Sequence, residues 1–122
     1  MIGAKKVMEI HDLVIMQEGG LLGDHGVGAI EGALSRVINR IMYEGMEDAY
    51  EIAAMYAVSI ARGHVFNDAN KRTALLTALS YLESQDIWVS RSPQLEEMMV
   101  DVAQGLIDYK DFAHALYMCA KK

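Results

Sequence analysis

The sequence contains little of what would indicate a secreted, membrane-spanning or β-sheet protein. Cys119 is its one cysteine, so no internal disulfide can form, and a reducing compartment is expected. No segment reaches the roughly 18 consecutive apolar residues of a membrane-spanning helix, and the N-terminal stretch MIGAKKVMEIHD lacks the apolar core of a signal peptide. Alternating strand patterns are almost absent. These absences predict a cytoplasmic, all-α protein without membrane association.

Basic charge is also scarce, which bears on the possible partners. The net charge is −6 and the pI is about 5.1, whereas proteins that bind nucleic-acid backbones concentrate lysine and arginine on one face. Direct nucleic-acid binding is therefore not expected. The sequence has no Walker loop, no GxGxxG after a strand and no GxSxG elbow. His11 and His114 have no second ligand four residues on, which gives a zinc site little support.

Helical periodicity is abundant, and it organises the chain. Apolar residues recur at helical spacing in successive segments separated by glycine, serine–proline or aspartate signals. With 122 residues, the chain has the length of one domain, assigned to residues 1–122. The prediction is an all-α fold, a single compact domain of about six helices, over residues 5–18, 29–43, 47–62, 70–84, 93–104 and 109–120. The helix over 70–84, apolar around most of its circumference, is expected to be the central one.

Several finer expectations follow from the same patterns. The segment 19–28 holds five of the ten glycines, which suits either a flap beside a functional site or a simple turn. Ile38 is predicted to face the core, Trp88 to cover the bundle, and Cys119 to belong to the core. Gly63 is predicted to end the third helix in the left-handed conformation.

The polar stretch HVFNDANKR, residues 64–72, lies between two apolar helical segments. His64 suits general-base chemistry, and Asp68 is a hard oxygen ligand suited to Mg²⁺. Lys71 and Arg72 fall in a first helical turn, where cations are unfavourable unless an anion is bound. Asn70 and these two cations would then hold phosphate. The alternative is structural: Asn67, Asp68 or Asn70 caps the helix, and the cations form a solvated face. Chemistry alone leaves both readings open.

This stretch closely resembles the HxFx(D/E)(G/A)N(K/G)R signature of the Fic/Doc family, specifically its Doc branch of addiction-module toxins. Similarity extends to the segments around Gly19–Leu21, Tyr43–Glu44, Ala61–Gly63 and Thr73–Leu75. The resemblance implies a compact fold of about six helices with a nucleotide site at the signature. It assigns catalytic roles to His64, Asp68 and Arg72, nucleotide binding to Asn67, Asn70, Lys71 and Arg72, and Mg²⁺ to Asp68.

Two departures from the typical Fic pattern bear on the reaction that the resemblance implies. Lys71 stands where AMP-transferases have glycine, and Leu75 stands where they have a second arginine. In the Doc branch these changes accompany a reversed ATP that presents its γ-phosphoryl group. The resemblance therefore implies a protein kinase that phosphorylates a threonine of elongation factor Tu and inhibits translation. AMP transfer to a protein hydroxyl, or a catalytically silent module that binds an antitoxin, are the alternatives.

The resemblance also implies how such a toxin is restrained. Many Fic enzymes contain an inhibitory (S/T)xxxE(G/N) helix. Ser92 and Glu96 have this spacing, but Glu97 stands where glycine or asparagine is required. Restraint is therefore expected from a cognate antitoxin whose C-terminal segment folds on the toxin.

Overall fold

The computed structural model describes residues 2–20, 27–63 and 69–120, and six helices lie in these ranges. They are α1 (Ala4–Glu18), α2 (Val27–Glu44), α3 (Ala49–Gly63), α4 (Asn70–Ser84), α5 (Pro93–Gln104) and α6 (Tyr109–Cys119). Within the same ranges there is no strand, only an isolated antiparallel bridge between Val89 and Ala120. The predicted all-α fold of about six helices is confirmed.

Local capping signals set several helix ends. The Ser92 hydroxyl accepts a hydrogen bond from the Leu95 N–H at the start of α5, and Gly105 ends that helix with a φ of 77°. Asp108 and Asp111 cap α6 reciprocally, each side chain accepting from the other's backbone N–H. These interactions satisfy backbone groups that have no partner within the helix. They place α5 and α6 where the sequence predicts them.

The centre of the fold is α3. It packs against α2, α4, α5 and α6, whereas α4 packs against α1, α3 and α5. The prediction that α4 is the central helix is therefore wrong. Alanines explain the difference, because Ala53, Ala57 and Ala61 are fully or almost fully buried on α3 and allow neighbouring helices to approach closely.

A small apolar cluster fixes α1 against the start of α4. Ile10, Val14 and Ile15 of α1 pack around Ala69, the residue immediately before α4, and half-buried Leu76 packs against them. Burial of such side chains stabilises a contact by roughly 1.5–3 kcal/mol for each fully buried aliphatic residue. The C-terminal end of α1 is thereby held close to the signature helix.

The expectations about individual side chains have mixed outcomes. Ile38 is 37% exposed, so the prediction that it faces the core is wrong, whereas Trp88, predicted only to cover the bundle, is 55% exposed. Cys119 is half-buried against the edge of the core. Gly28 is already helical because α2 begins at Val27, and residues 21–26 of the predicted flap or turn lie outside the described residues. None of the helices that the structure describes is long and apolar enough to cross a bilayer.

Candidate functional site

The signature stretch joins the end of α3 to the start of α4. Gly63 is the last residue of α3 and Asn70 is the first of α4, as predicted for the second helix. His64, Asn67 and Asp68, predicted as base, nucleotide ligand and Mg²⁺ ligand, lie outside the described residues, and so does Phe66. The structure thus places Asn70, Lys71 and Arg72 of the predicted site.

The backbone at this junction differs from the prediction. Gly63 does not have a positive φ, so it does not end α3 in the left-handed conformation. Ala69 has it instead, with a φ of 62° and a ψ of 24°, and it is the N-cap of α4. The predicted capping by Asn67, Asp68 or Asn70 is therefore wrong. Ala69 tolerates this uncommon conformation because its side chain is buried against α1.

An alanine cap has chemical consequences for the first turn of α4. Its side chain cannot accept hydrogen bonds from first-turn N–H groups, which lack carbonyl partners within a helix. The same turn has no acidic residue, but it carries Lys71, which is exposed, and Arg72, which is half-buried. Backbone donors, the positive end of the helix dipole and two cations therefore share one turn. This is the arrangement that favours an anion.

Arg72 is held by a charged cluster formed from three parts of the chain. Its Nη1 lies 3.8 Å from Oε1 of Glu18, the last residue of α1. Arg91 donates to both oxygens of Glu18, at 2.7 and 2.9 Å, and its Nε donates to Oε1 of Glu96 at 2.6 Å. The hydrogen bonds from Arg91 lower the pKa of Glu18 below its ordinary value. Glu18 therefore stays ionised and holds the two guanidinium groups near each other.

A cleft of about 260 Å³ lies beside this cluster. Its polar lining consists of Lys71, Arg72 and Glu96, and its apolar lining is Leu75 and Met99. Leu75 is only 1% exposed, so it is a buried wall at the position where AMP-transferases are expected to have an arginine. The cleft thus offers two cations on one side and an aliphatic surface on the other.

The described part of the site fits a nucleotide phosphate. Lys71 and Arg72 are charged donors in one turn, next to a cleft, and charge-assisted hydrogen bonds to phosphate are about twice as strong as neutral ones. The Mg²⁺ prediction is different, since its ligand, Asp68, is outside the described residues. Among residues 2–20, 27–63 and 69–120, no three histidine, cysteine, aspartate or glutamate side chains gather as a metal site.

Sequence reasoning missed Glu18 and Arg91, which complete the charged cluster. Glu18 and Arg91 are 73 residues apart, and each looks like an ordinary charged residue near a helix end. No spacing rule connects them. One local signal could have linked Arg91 to Glu96. Arg91 directly precedes Ser92, the N-cap of α5, so its backbone lies close to the first turn that contains Glu96.

Comparisons with known proteins identify the family of this chain. The profile described as the Fic/DOC family matches residues 2–82, more than half of the chain. The chain belongs to the Fic/DOC family. It is also similar to the protein kinase doc of Escherichia phage P1, with 41% identity over 115 residues, which cover 94% of this chain and 91% of that relative.

Membership of the Fic/DOC family confirms the family predicted from the signature, and the similarity to a Doc protein supports the predicted branch. The match ends at residue 82, so it includes α1 to most of α4 and the whole signature. Arg91 and Glu96, which complete the charged cluster, lie beyond it. The prediction of a Fic/Doc-type phosphotransferase agrees with the name of the phage relative.

Proposed function

We propose that this protein is a Doc-type toxin kinase, which transfers the γ-phosphoryl group of Mg-ATP to a threonine of elongation factor Tu and thereby inhibits translation. The observation that carries the proposal is the 41% identity, over nearly the whole chain, to a protein named as a protein kinase. The chemistry of the described site agrees with it, because Lys71 and Arg72 meet at the start of α4 beside a cleft.

The proposed roles follow the signature residue by residue. His64 is the base that accepts the proton of the threonine hydroxyl, and Asp68 holds Mg²⁺. Asn67, Asn70, Lys71 and Arg72 bind the phosphates. Bound Mg-ATP would supply the phosphoryl group and a metal charge at its oxygens. Phosphoryl transfer depends mainly on positioning and charge stabilisation, so a rigid helix start carrying two cations is suited to it.

Leu75 and Lys71 support phosphoryl transfer over AMP transfer. An arginine at position 75 would add a donor inside the cleft, but Leu75 and Met99 make that wall apolar. Lys71 adds a bulky cation at the mouth of the cleft, where glycine would leave space. Phosphate binding is therefore concentrated at the first turn of α4, which favours a nucleotide whose terminal phosphates lie at that turn.

A cognate antitoxin is proposed as the second partner, with a C-terminal segment that folds on this protein. The Doc relationship is its support, together with the mismatch at Glu97 in the inhibitory motif. Glu96, the glutamate of that spacing, is paired with Arg91. A single domain over residues 1–122 acting in the cytoplasm is part of the same proposal.

Labelling from ATP tests the proposal. Purified protein is incubated with elongation factor Tu and ATP labelled at either the γ- or the α-phosphate. We expect label on elongation factor Tu from γ-labelled ATP only, and we expect this label to be lost in His64→Ala, since general-base catalysis is worth roughly 10²–10⁴-fold.

His64→Ala should still bind Mg-ATP in calorimetry, whereas Asp68→Ala should bind it more weakly. Label from the α-phosphate would show AMP transfer instead. No label, no nucleotide binding and no toxicity on expression would show a silent antitoxin-binding module.

A further inference from the structure

A second, larger cleft lies between α2 and α3 and shares no lining residue with the cleft beside Lys71. Its volume is about 470 Å³. It is notable for its charge, because three of the five arginines in this acidic sequence line it. The full lining is Arg36, Val37, Arg40, Met55, Val58, Ser59, Arg62 and Gly63.

The three arginines are not equivalent. Arg40 is paired with Glu44 at 3.1 Å and lies over the ring of Tyr109. Arg62 donates to the carbonyl oxygens of Val102 and Ile107, both at 2.8 Å, which fixes its guanidinium group without neutralising it. Arg36 is exposed and makes no ion pair with any residue that the structure describes. Among the described residues, therefore, neither Arg36 nor Arg62 has an acidic partner, although the protein carries a net charge of −6.

Between these charges the cleft is apolar. Val37 is fully buried, Met55 is almost buried and Val58 is half-buried, and together they form the floor. The Ser59 hydroxyl donates to the Ala33 carbonyl oxygen at 2.8 Å, so it is already engaged in joining α3 to α2.

Arg36 and Arg40 are one helical turn apart on α2, where like charges repel unless an anion lies between them. A matching ligand combines carboxylates with apolar side chains, as an acidic peptide segment does.

The position of the cleft indicates which substrate such a segment would belong to. Gly63 lines the cleft, and the next residue in the chain is His64, the proposed base. Asn70 to Arg72, at the other end of the signature, lead to the separate cleft proposed for the nucleotide. In phosphoryl transfer the attacking and leaving oxygens are roughly in line, so the protein substrate and the nucleotide need separate binding sites. The two clefts have no lining residue in common, and along the chain they adjoin opposite ends of the signature.

We infer that the cleft lined by Arg36 and Arg62 docks an acidic segment of the protein substrate, while the cleft beside Lys71 takes the nucleotide. This inference rests on the proposed kinase function. Arginine in a partly apolar pocket is a common centre of binding energy at protein interfaces. Arg36 is then a specificity-determining residue, and Arg62 is a fixed donor beside it.

Steady-state kinetics with elongation factor Tu tests the inference, with Lys5→Glu as the matched control. Lys5 is an exposed cation on α1, so it reproduces the charge reversal of Arg36→Glu outside the cleft. Arg36→Glu should raise the KM for elongation factor Tu tenfold or more and leave the KM for ATP within twofold, whereas Lys5→Glu should change neither. Circular dichroism verifies that both variants are folded. A raised KM for ATP would assign the cleft to the nucleotide, and an unchanged KM for both substrates would overturn the inference.

A binding measurement keeps this inference separate from the identity of the substrate. An acidic peptide of alternating glutamate and leucine, and its glutamine counterpart, are titrated into the isotope-labelled protein and followed by NMR. The glutamate peptide should shift the signals of Val37, Val58 and Arg36, and Arg36→Glu should abolish these shifts. If wild-type protein labels no elongation factor Tu yet binds the peptide in this cleft, the proposed substrate fails and the docking cleft stands. If the glutamate peptide leaves the cleft signals unmoved, the docking cleft is refuted whatever the kinase assay shows.

Discussion

At the scale of single residues, Glu18 shows how Arg72, which is proposed to bind the nucleotide, is positioned by residues outside the signature. Its carboxylate accepts two hydrogen bonds from Arg91 and lies near Arg72. Its side chain is 30% exposed, so solvent screens these interactions and moderates their free energy. The hydrogen bonds raise the pKa of Arg91 and lower the pKa of Glu18. The pH dependence of the cluster is therefore expected from the Glu18 carboxylate.

Glu18→Gln tests this cluster by its effect on stability at different pH values. Because the pKa of Glu18 is lower in the folded state, its stabilising effect is complete above the ordinary value of 4.5 and is lost as pH falls through the folded pKa. We expect Glu18→Gln to reduce the free energy of unfolding by roughly 0.2–1 kcal/mol at pH 7. The difference from wild type should disappear below the folded pKa. Urea unfolding measures both, with Glu9→Gln on the same helix as the control.

Equal losses in Glu18→Gln and Glu9→Gln would mean that the cluster contributes nothing beyond general surface charge. A loss in Glu18→Gln that persists at acidic pH would show that the substitution acts through packing rather than through the ion pairs.

At the scale of elements, the starts of α4 and α6 make an instructive contrast. Lys71 and Lys110 occupy the same position, the second residue of their helices, and both are exposed. At α6 the Asp108 cap and Asp111 surround the cation with negative charge. At α4 the cap is Ala69 and the first turn has no acidic residue. A cation in a first turn that has no acidic residue costs roughly 0.3–1 kcal/mol, which an anionic ligand would reverse.

Comparison of Lys71→Gly with Lys110→Gly therefore separates a ligand effect from a helix effect. Both variants place the same flexible residue at the same helical position, so their entropic effects on the unfolded chain are similar. Lys71→Gly should weaken Mg-ATP binding by about 1.5–3 kcal/mol, the value of a charge-assisted hydrogen bond, and impair phosphoryl transfer. Lys110→Gly should leave both unchanged. Calorimetry and the labelling assay provide the measurements, and equal ATP affinity in the two variants would identify Lys71 as ordinary helix surface.

At the scale of the whole molecule, a pair of buried tyrosines joins the start of the chain to the central helices. The Ile2 N–H donates to the Oη of Tyr56 on α3 at 3.2 Å, and the rings of Tyr56 and Tyr81 lie 5.5 Å apart between α3 and α4. Burial raises the pKa of both phenols above their ordinary value of 10.0. The neutral phenols are thus part of the folded state, and their ionisation would oppose it.

This pair predicts the alkaline limit of stability. Because both pKa values are higher in the folded state, the stabilising effect is complete below pH 10.0 and is lost as pH rises toward the folded values. Each buried tyrosine adds up to about 1.4 kcal/mol per pH unit to that loss. The double variant Tyr56→Phe and Tyr81→Phe should therefore lose stability less steeply above pH 10.0, as measured by urea unfolding. Tyr43→Phe, at a side chain that is 92% exposed, should keep the wild-type slope.

The sequence by itself determined the family, the helical class and most helix ends, because these depend on signals within one or two turns. Ser92–Pro93, Gly105 and Asp108 mark helix ends through local hydrogen bonds and backbone conformation. The bounds of α5 were predicted for the same reason. Local sequence was misleading at the junction of α3 and α4. It predicted the left-handed conformation at Gly63, but Ala69 adopts it instead, and the Ala69 side chain is buried against α1.

Only the tertiary structure decided which distant side chains meet. Glu18 reaches Arg91 across 73 residues, and Arg62 reaches the Ile107 carbonyl across 45, because helix packing brings the end of one element beside the start of another. Periodicity shows which residues share a helical face, but it does not show how much of that face the neighbouring helices cover. For that reason Ile38 and Trp88 are exposed, and Arg36, Arg40 and Arg62 share a cleft that no spacing rule predicts.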